Sequence, residues 1–299
     1  MIAIDLGSNT LRVLEYDCIT HKPTYIFEKV VKTADGLAEF GIINSDAVCR
    51  VINAIQEVEM QLDLKGQPLR AVTTEALRRA TNSKDVLHEI EDVTGISFEI
   101  ISGEEEASLT LGAVKYRLEK LQYASESFVL IDIGGGSTEI IFHYKDETIS
   151  KSFPVGIVTM AQSYKTLENI KNALNKEMFD IQMFCAEMAA TKGKVNSFVA
   201  TAGTPTTVAA MKLGFNYESY DASKINGTSL EKYELDIYLE KLLSMPFDAR
   251  EIAVGIGRSD LIAAGILIYK QLYMILEFDI CVVIDDGLRE GVALDKCLH

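Results

Sequence analysis

Two segments of this sequence place an aspartate at the end of an apolar run and follow it with a small, polar, glycine-bearing turn. One runs Ile4-Asp5-Leu6-Gly7-Ser8-Asn9-Thr10 and the other Ile131-Asp132-Ile133-Gly134-Gly135-Gly136-Ser137-Thr138-Glu139. That order suits phosphate chemistry. Glycines let neighbouring backbone N–H groups turn inward as a nest for phosphate oxygens. An aspartate at the strand end can hold a hydrated divalent cation that bridges to the same phosphates. The first segment alone is equally well read as a plain β-turn beside a solvated carboxylate. The second is not, because three consecutive glycines are costly unless a close backbone approach needs them. Two such elements in one chain favour a paired phosphate clamp.

Other residues add acid, base and cation. Ile101 to Ala107 sets Glu104, Glu105 and Glu106 at a predicted helix start. Acidic residues there suit the helix dipole, which accounts for at least two of the three. The third would be a general base for water, and spacing does not say which it is. Thr73 to Ala80 carries Arg78 and Arg79 just after a predicted strand. Each is either solvated surface charge or a guanidinium fork for phosphate. Ala200 to Thr207 sets Gly203 and Thr204 between a strand and a helix, as N–H donors to an anion or as a plain connection. Gly255 to Asp260 and Gly287 to Gly291 each present one arginine near glycine. The five cysteines and four histidines have no metal-site spacing. The cysteines are expected to be reduced thiols.

The chain must position these residues within 299 amino acids, enough for two domains. Its hydrophobic fraction of 48% is that of a folded protein, so its net charge of −15 is not a sign of disorder. That charge argues against a nucleic-acid partner or an anionic membrane. The N-terminus lacks a signal-peptide pattern. The longest apolar stretch, Leu261 to Tyr269, is too short to cross a bilayer, and the chain is expected to be cytoplasmic.

Helices are predicted over Asp46 to Leu64, Ser83 to Val93 (with Ser83 as N-cap), Glu104 to Leu121, Asn169 to Met188, Pro205 to Leu213, Asp260 to Leu272 and Gly287 to Leu298. Strands are predicted around the two turns and at Leu69 to Thr73, Ile96 to Ser102, Ser197 to Thr201 and Ile280 to Ile284. The class is therefore α/β. The strand–turn–strand grammar around Asp5 returns around Asp132, 127 residues later, as expected of two related halves. The junction is placed at Tyr123 to Ser127. Domains of 1–123, completed by the helix near 287–299, and 124–299 follow from this.

Taken together, the segments IDLGSNTLR, TTEALRRA, ISGEEEA, IDIGGGSTE, AGTPTT, GRSDLIAAG and GLREG, in that order, resemble the exopolyphosphatase and guanosine pentaphosphate phosphohydrolase (Ppx/GppA) family. That family lies within the actin, sugar kinase and heat-shock chaperone superfamily. The resemblance implies two related actin-like (ribonuclease H-like) domains with a cleft between them. It implies Glu106 as catalytic base and Arg78 facing the scissile phosphate. Phosphate would be bound by Gly7, Ser8, Asn9, Gly134, Gly135, Gly136, Ser137, Gly203, Thr204 and Arg258. Asp5, Asp132 and Glu139 would hold Mg²⁺ or Mn²⁺. Many members carry a further C-terminal helical region. This chain stops at His299 and resembles the short form, which favours a short, metal-complexed phosphoanhydride over a long polyphosphate chain.

The implied activity is release of a terminal phosphate from polyphosphate or guanosine pentaphosphate (pppGpp) by in-line attack of water, in a cytosolic protein expected to be a homodimer. One rival is an ATPase or small-molecule kinase of the same superfamily. Another is a catalytically silent (p)ppGpp-binding sensor.

Overall fold

A computed structural model of the chain describes residues 1–123 and 126–298. Two compact units emerge. One is Met1–Ala113 with the segment from Leu288 onward, and the other is Val114–Gly287. The expected junction at 123–127 includes residues 124 and 125, which lie outside the described residues.

Unit 1 begins with β1 (Ile2–Leu6), β2 (Thr10–Asp17) and β3 (Lys22–Val30), followed by α1 (Leu37–Phe40) and α2 (Ser45–Glu59). Next come β4 (Leu69–Thr73), α3 (Glu75–Arg79), α4 (Ser83–Thr94), β5 (Phe98–Ile100) and α5 (Gly103–Lys120), whose residues from Val114 onward belong to unit 2. The sheet order is β3-β2-β1-β4-β5, with β1, β2 and β3 antiparallel and β1, β4 and β5 parallel. Every residue of β1 is buried, as a central strand covered on both faces requires. β3 was not anticipated. It is an edge strand with Pro23 near its start and mostly partly exposed or exposed residues, so it lacks a clear apolar alternation.

Two predicted helix ends shift for identifiable reasons. α2 stops at Glu59 because the Asp63 side chain accepts from the Lys65 and Gly66 N–H groups and forms a turn there. The N-cap of α4 is Asn82, not Ser83. The Asn82 side chain bonds both backbone groups of Ile43, at 2.9 Å each.

Unit 2 contains β6 (Phe128–Ile133), β7 (Thr138–His143), β8 (Thr148–Phe153), α6 (Ile157–Tyr164), α7 (Leu167–Glu177), α8 (Phe179–Thr191) and β9 (Ser197–Thr201). It continues with α9 (Gly203–Leu213), α10 (Ala222–Ile225), β10 (Thr228–Glu231), α11 (Lys232–Ser244), α12 (Phe247–Val254), α13 (Ser259–Leu276) and β11 (Ile280–Val283). Its sheet runs β10-β11-β9-β6-β7-β8. Read from β8, this repeats the order and strand directions of the first sheet, with β10 added at the far edge. The chain is thus α/β and built from two copies of the actin-like unit, as the repeated motif implied.

α13 is longer than predicted. Over its 18 residues the mean hydropathy is 1.3, so by length and composition it could cross a membrane, contrary to the expectation drawn from Leu261 to Tyr269. It is the core helix of unit 2, packed against α6, α7, α9 and α11, and Ile262, Ile266, Ile268, Tyr269, Leu272 and Tyr273 on it are fully buried.

The final helix, α14 (Leu288–Leu298), belongs to unit 1 and packs on β1 and β2. Gly291 makes this possible. A Cβ there would come within 2.1 Å of the Leu109 carbonyl oxygen on α5. The expectation of five reduced cysteines is corrected here. Cys18, in the turn after β2, is disulfide-bonded to Cys297 at the end of α14, with Cα atoms 5.2 Å apart. The pair is 279 residues apart in sequence, so only the return of α14 to the first hairpin brings it together.

Candidate active site

The glutamate run is resolved by where each side chain goes. Glu104 is exposed. Glu105 meets Arg70 at 2.6 Å, and the same arginine reaches Glu99 at 3.0 Å and Asp295 at 3.3 Å. Glu106 is buried, and its Oε2 accepts from Arg78 Nη1 at 2.9 Å. Arg78 sits in the last turn of α3, directly after the interior strand β4, while its neighbour Arg79 is exposed. The Arg78 Nη1 also donates to the Ile101 carbonyl at 2.8 Å, and its Nη2 to Glu75 Oε2 at 3.1 Å. Burial acts to lower the pKa of this guanidinium. The adjacent Glu106 and Glu75 outweigh it and hold the pKa above the ordinary arginine value. A carboxylate and a guanidinium in contact, at the start of a helix and largely shielded from water, can respectively take a proton and neutralise developing negative charge.

In the same unit, the two-residue loop Ser8–Asn9 closes the β1–β2 hairpin, with the Gly7 N–H bonded to the Thr10 carbonyl at 3.0 Å. The Ser8 and Asn9 carbonyls are turned away, accepting from Ala34, Val31 and Lys32. Their N–H groups make no hydrogen bond within the described residues, which leaves two donors side by side. Asp5 lies directly opposite Arg12 in the hairpin and 3.8 Å from its guanidinium. Burial pushes the Asp5 pKa up to about 6, although Arg12 and Arg289 pull it down. Arg289, from the GLREG segment, is buried in the first turn of α14 and donates to Glu290 at 2.7 Å.

Unit 2 builds the same turn. The Gly134 N–H bonds the Ser137 carbonyl at 2.9 Å and closes the loop Gly135–Gly136. The Gly134 and Gly135 carbonyls accept from Ile157 and Val158 at the start of α6, at 3.1 and 2.8 Å. The Gly135 and Gly136 N–H groups make no hydrogen bond within the described residues. This arrangement depends on Gly156, where a Cβ would lie 2.4 Å from the Gly135 carbonyl oxygen. Asp132 stands directly opposite Glu139. Glu139 is buried, and its Oε1 accepts from Ser137 at 2.8 Å and Ser152 at 2.7 Å. Two facing carboxylates offer hard oxygen donors. That set fits a cation that keeps most of its ligands as water and phosphate. Among the described residues no group of three or more metal-ligating side chains is gathered.

The remaining predicted residues lie elsewhere in unit 2. Gly203 opens α9 after Ala202, whose φ of 72° with ψ of −177° is a strained conformation for a residue with a Cβ. Thr204 is fully buried, and its Oγ1 lies where a Cβ on Gly265 would come within 2.1 Å, so the hydroxyl is turned toward α13. Arg258 is the N-cap residue of α13. Beside it, the Glu251 carboxylate accepts from the Gly257 and Ser259 N–H groups.

Several polar partners escaped the sequence reading: Glu75 beside Arg78, Arg12 opposite Asp5, Ser152 on Glu139, and Asp286, which Arg117 grips at 2.5 and 3.2 Å. Alternation in a hairpin could have flagged Arg12, seven residues after Asp5. The Glu75–Arg78 pair has helical i,i+3 spacing. The others come together only through the fold.

Comparison with known proteins bears on the fold and the family. The chain is 27% identical to exopolyphosphatase 2 of Mycobacterium tuberculosis over 98% of its own length and 97% of that protein's. A crystal structure of a Ppx/GppA family member from Aquifex aeolicus superposes with a TM-score of 0.74 at 27% identity, covering 99% of this chain and 97% of that one. An exopolyphosphatase structure from Cytophaga hutchinsonii reaches a TM-score of 0.85 at 20% identity, covering 99% and 97%, a likeness of fold. The family model of the Ppx/GppA phosphatases matches residues 20–299, and the chain belongs to that family.

Proposed function

We propose that this protein hydrolyses the terminal phosphoanhydride of a short inorganic polyphosphate or of pppGpp, with water as the acceptor. The contact between Arg78 and Glu106 carries the reading, because it supplies a cation for the transferred phosphoryl group and a base for water in one place. The exopolyphosphatase name of the Mycobacterium relative supports the substrate class.

In this reading Glu106 orients a water molecule and takes its proton as the oxygen attacks the terminal phosphorus. Arg78 donates to the phosphoryl oxygens as charge spreads over them. The bond from the terminal phosphorus to the bridging oxygen breaks on the opposite side, and the shortened polyphosphate or ppGpp leaves in line on that oxygen. The paired N–H groups of Ser8 and Asn9, and of Gly135 and Gly136, bind phosphate oxygens. Ser137 supports the second turn through its bond to Glu139. Gly203 and Arg258 are further candidates for holding the substrate's phosphates, and Thr204 can contribute through its backbone N–H at the start of α9. Asp132 and Glu139 would hold Mg²⁺ or Mn²⁺, which would neutralise charge on the bound phosphates; Asp5, at the matching position of the other hairpin, is the third candidate ligand. Most of the rate gain comes from positioning and charge neutralisation, with general-base help of about 10²–10⁴-fold.

Phosphate release from polyphosphates of defined length, from pppGpp and from ATP, each with Mg²⁺, tests the proposal. The expected result is release of free phosphate from short polyphosphate or pppGpp in water alone. ATP consumption only when a small-molecule acceptor is present would overturn it in favour of a kinase. Tight (p)ppGpp binding without turnover of any substrate would overturn it in favour of a sensor.

A further inference from the structure

The Arg78 guanidinium is held from two sides. Its Nη1 faces Glu106 and the Ile101 carbonyl. Its Nε and Nη2 face one oxygen of Glu75, at 3.4 and 3.1 Å. Of its five N–H donors, one on Nη2 has no partner among the described residues. Glu75 is the first residue of α3, a helix of only five residues, and its side chain is 14% exposed. Its contact with Arg79, by contrast, is 3.9 Å long and involves an exposed arginine. A surface i,i+3 pair would be loose and solvated. The Glu75–Arg78 pair is sheltered instead.

We propose that Glu75 is a positioning residue: it keeps the Arg78 guanidinium in place when Glu106 releases it to act on water. The inference rests on the roles given above to Arg78 and Glu106. A carboxylate paired with a guanidinium is held in its charged form and is a weaker base. Glu106 therefore has to loosen its contact with Arg78 as it takes the proton. Phosphoryl oxygens are the natural replacement on Nη1, since guanidinium binds them with strong, directional bonds. During that exchange Glu75 and the Ile101 carbonyl are, among the described residues, what fixes the long arginine side chain. Glu75 grips the Nε–Nη2 edge and leaves Nη1 for the phosphoryl group. It has no other ion-pair partner within 3.5 Å among the described residues.

The test is a double-mutant cycle on phosphate release by the full chain, using short-chain polyphosphate and Mg²⁺, with thermal unfolding measured for every variant. Glu75→Gln keeps the side-chain shape and removes the charge. It is expected to lower kcat about ten-fold, with KM changed far less and the melting temperature close to that of the parent. In an Arg78→Lys background, which lacks the fork, the same change is expected to cost less than about two-fold, because coupled residues are non-additive. An equal cost in both backgrounds, or no cost in the parent, overturns the proposal. A merely structural role would give that equal cost together with a lowered melting temperature. If Arg78→Lys itself retains full activity, the assigned role of Arg78 fails first, and Glu75 loses its function with it.

Discussion

Asp5 and Asp132 occupy the same position in two copies of one hairpin, yet Asp5 stands opposite Arg12 and Asp132 opposite Glu139. The duplicated turn is therefore used in two electrostatic settings. In unit 1 the buried carboxylate lies near cations. In unit 2 it faces a second carboxylate whose Oε1 is held by two hydroxyls.

The setting of Asp5 has a consequence for stability. Burial pushes its pKa from 3.8 up to about 6. The folded state then holds this proton more tightly than the unfolded chain does, so stability falls as pH rises from about 4 to about 6 and the loss is complete above that. A displacement of this size corresponds to about 3 kcal/mol. Asp5→Asn is predicted to be more stable than the parent at about pH 8, by up to about 3 kcal/mol, with no gain at about pH 4. Denaturant unfolding at the two pH values, with a chelator present, checks this. An equal difference at both values would contradict the raised pKa.

Removing the Arg78 guanidinium takes away the cation that both Glu75 and Glu106 bond. Arg78→Ala is predicted to lower phosphate release about 10²–10³-fold, the loss typical of a donor aimed at transition-state charge. Arg78→Lys is predicted to recover only part of it, because lysine is a point charge without the fork. Steady-state kinetics on the folded variants provides the measurement.

The disulfide predicts a chemical count. Thiol alkylation of the denatured, unreduced protein is expected to label Cys49, Cys185 and Cys281, and to reach all five cysteines only after reduction. Labelling of Cys18 and Cys297 without reduction would show the pair open. Burial pushes the Cys185 thiol up to about 12, so in the native protein it is expected to react far more slowly than the exposed Cys49.

What the sequence disclosed depended on how local each signal was. The hairpins around Asp5 and Asp132, the strands β4 and β9, and the duplication were legible because each sets a buried apolar run against a turn of small residues. β3 was missed because an edge strand has no such pattern. The glutamate run was legible as a helix start, but only packing separates Glu106, turned to Arg78, from Glu105, turned to Arg70. The cysteine pair and the Arg117–Asp286 contact join residues far apart in sequence, with nothing local to mark them. GLREG shows in sequence only an arginine near glycine, and the service of its closing glycine to the close approach of α14 to α5 appears only in the fold.

The central claim is that Glu106 takes the proton from the attacking water. Glu106→Gln keeps the size of the side chain and an oxygen that can accept from Arg78, but removes the basic carboxylate. Phosphate release by this variant, measured beside its affinity for the same substrate, tests the claim most directly. The prediction is a fall in kcat of about 10²–10⁴-fold with binding retained. An unchanged kcat would remove Glu106 from the reaction.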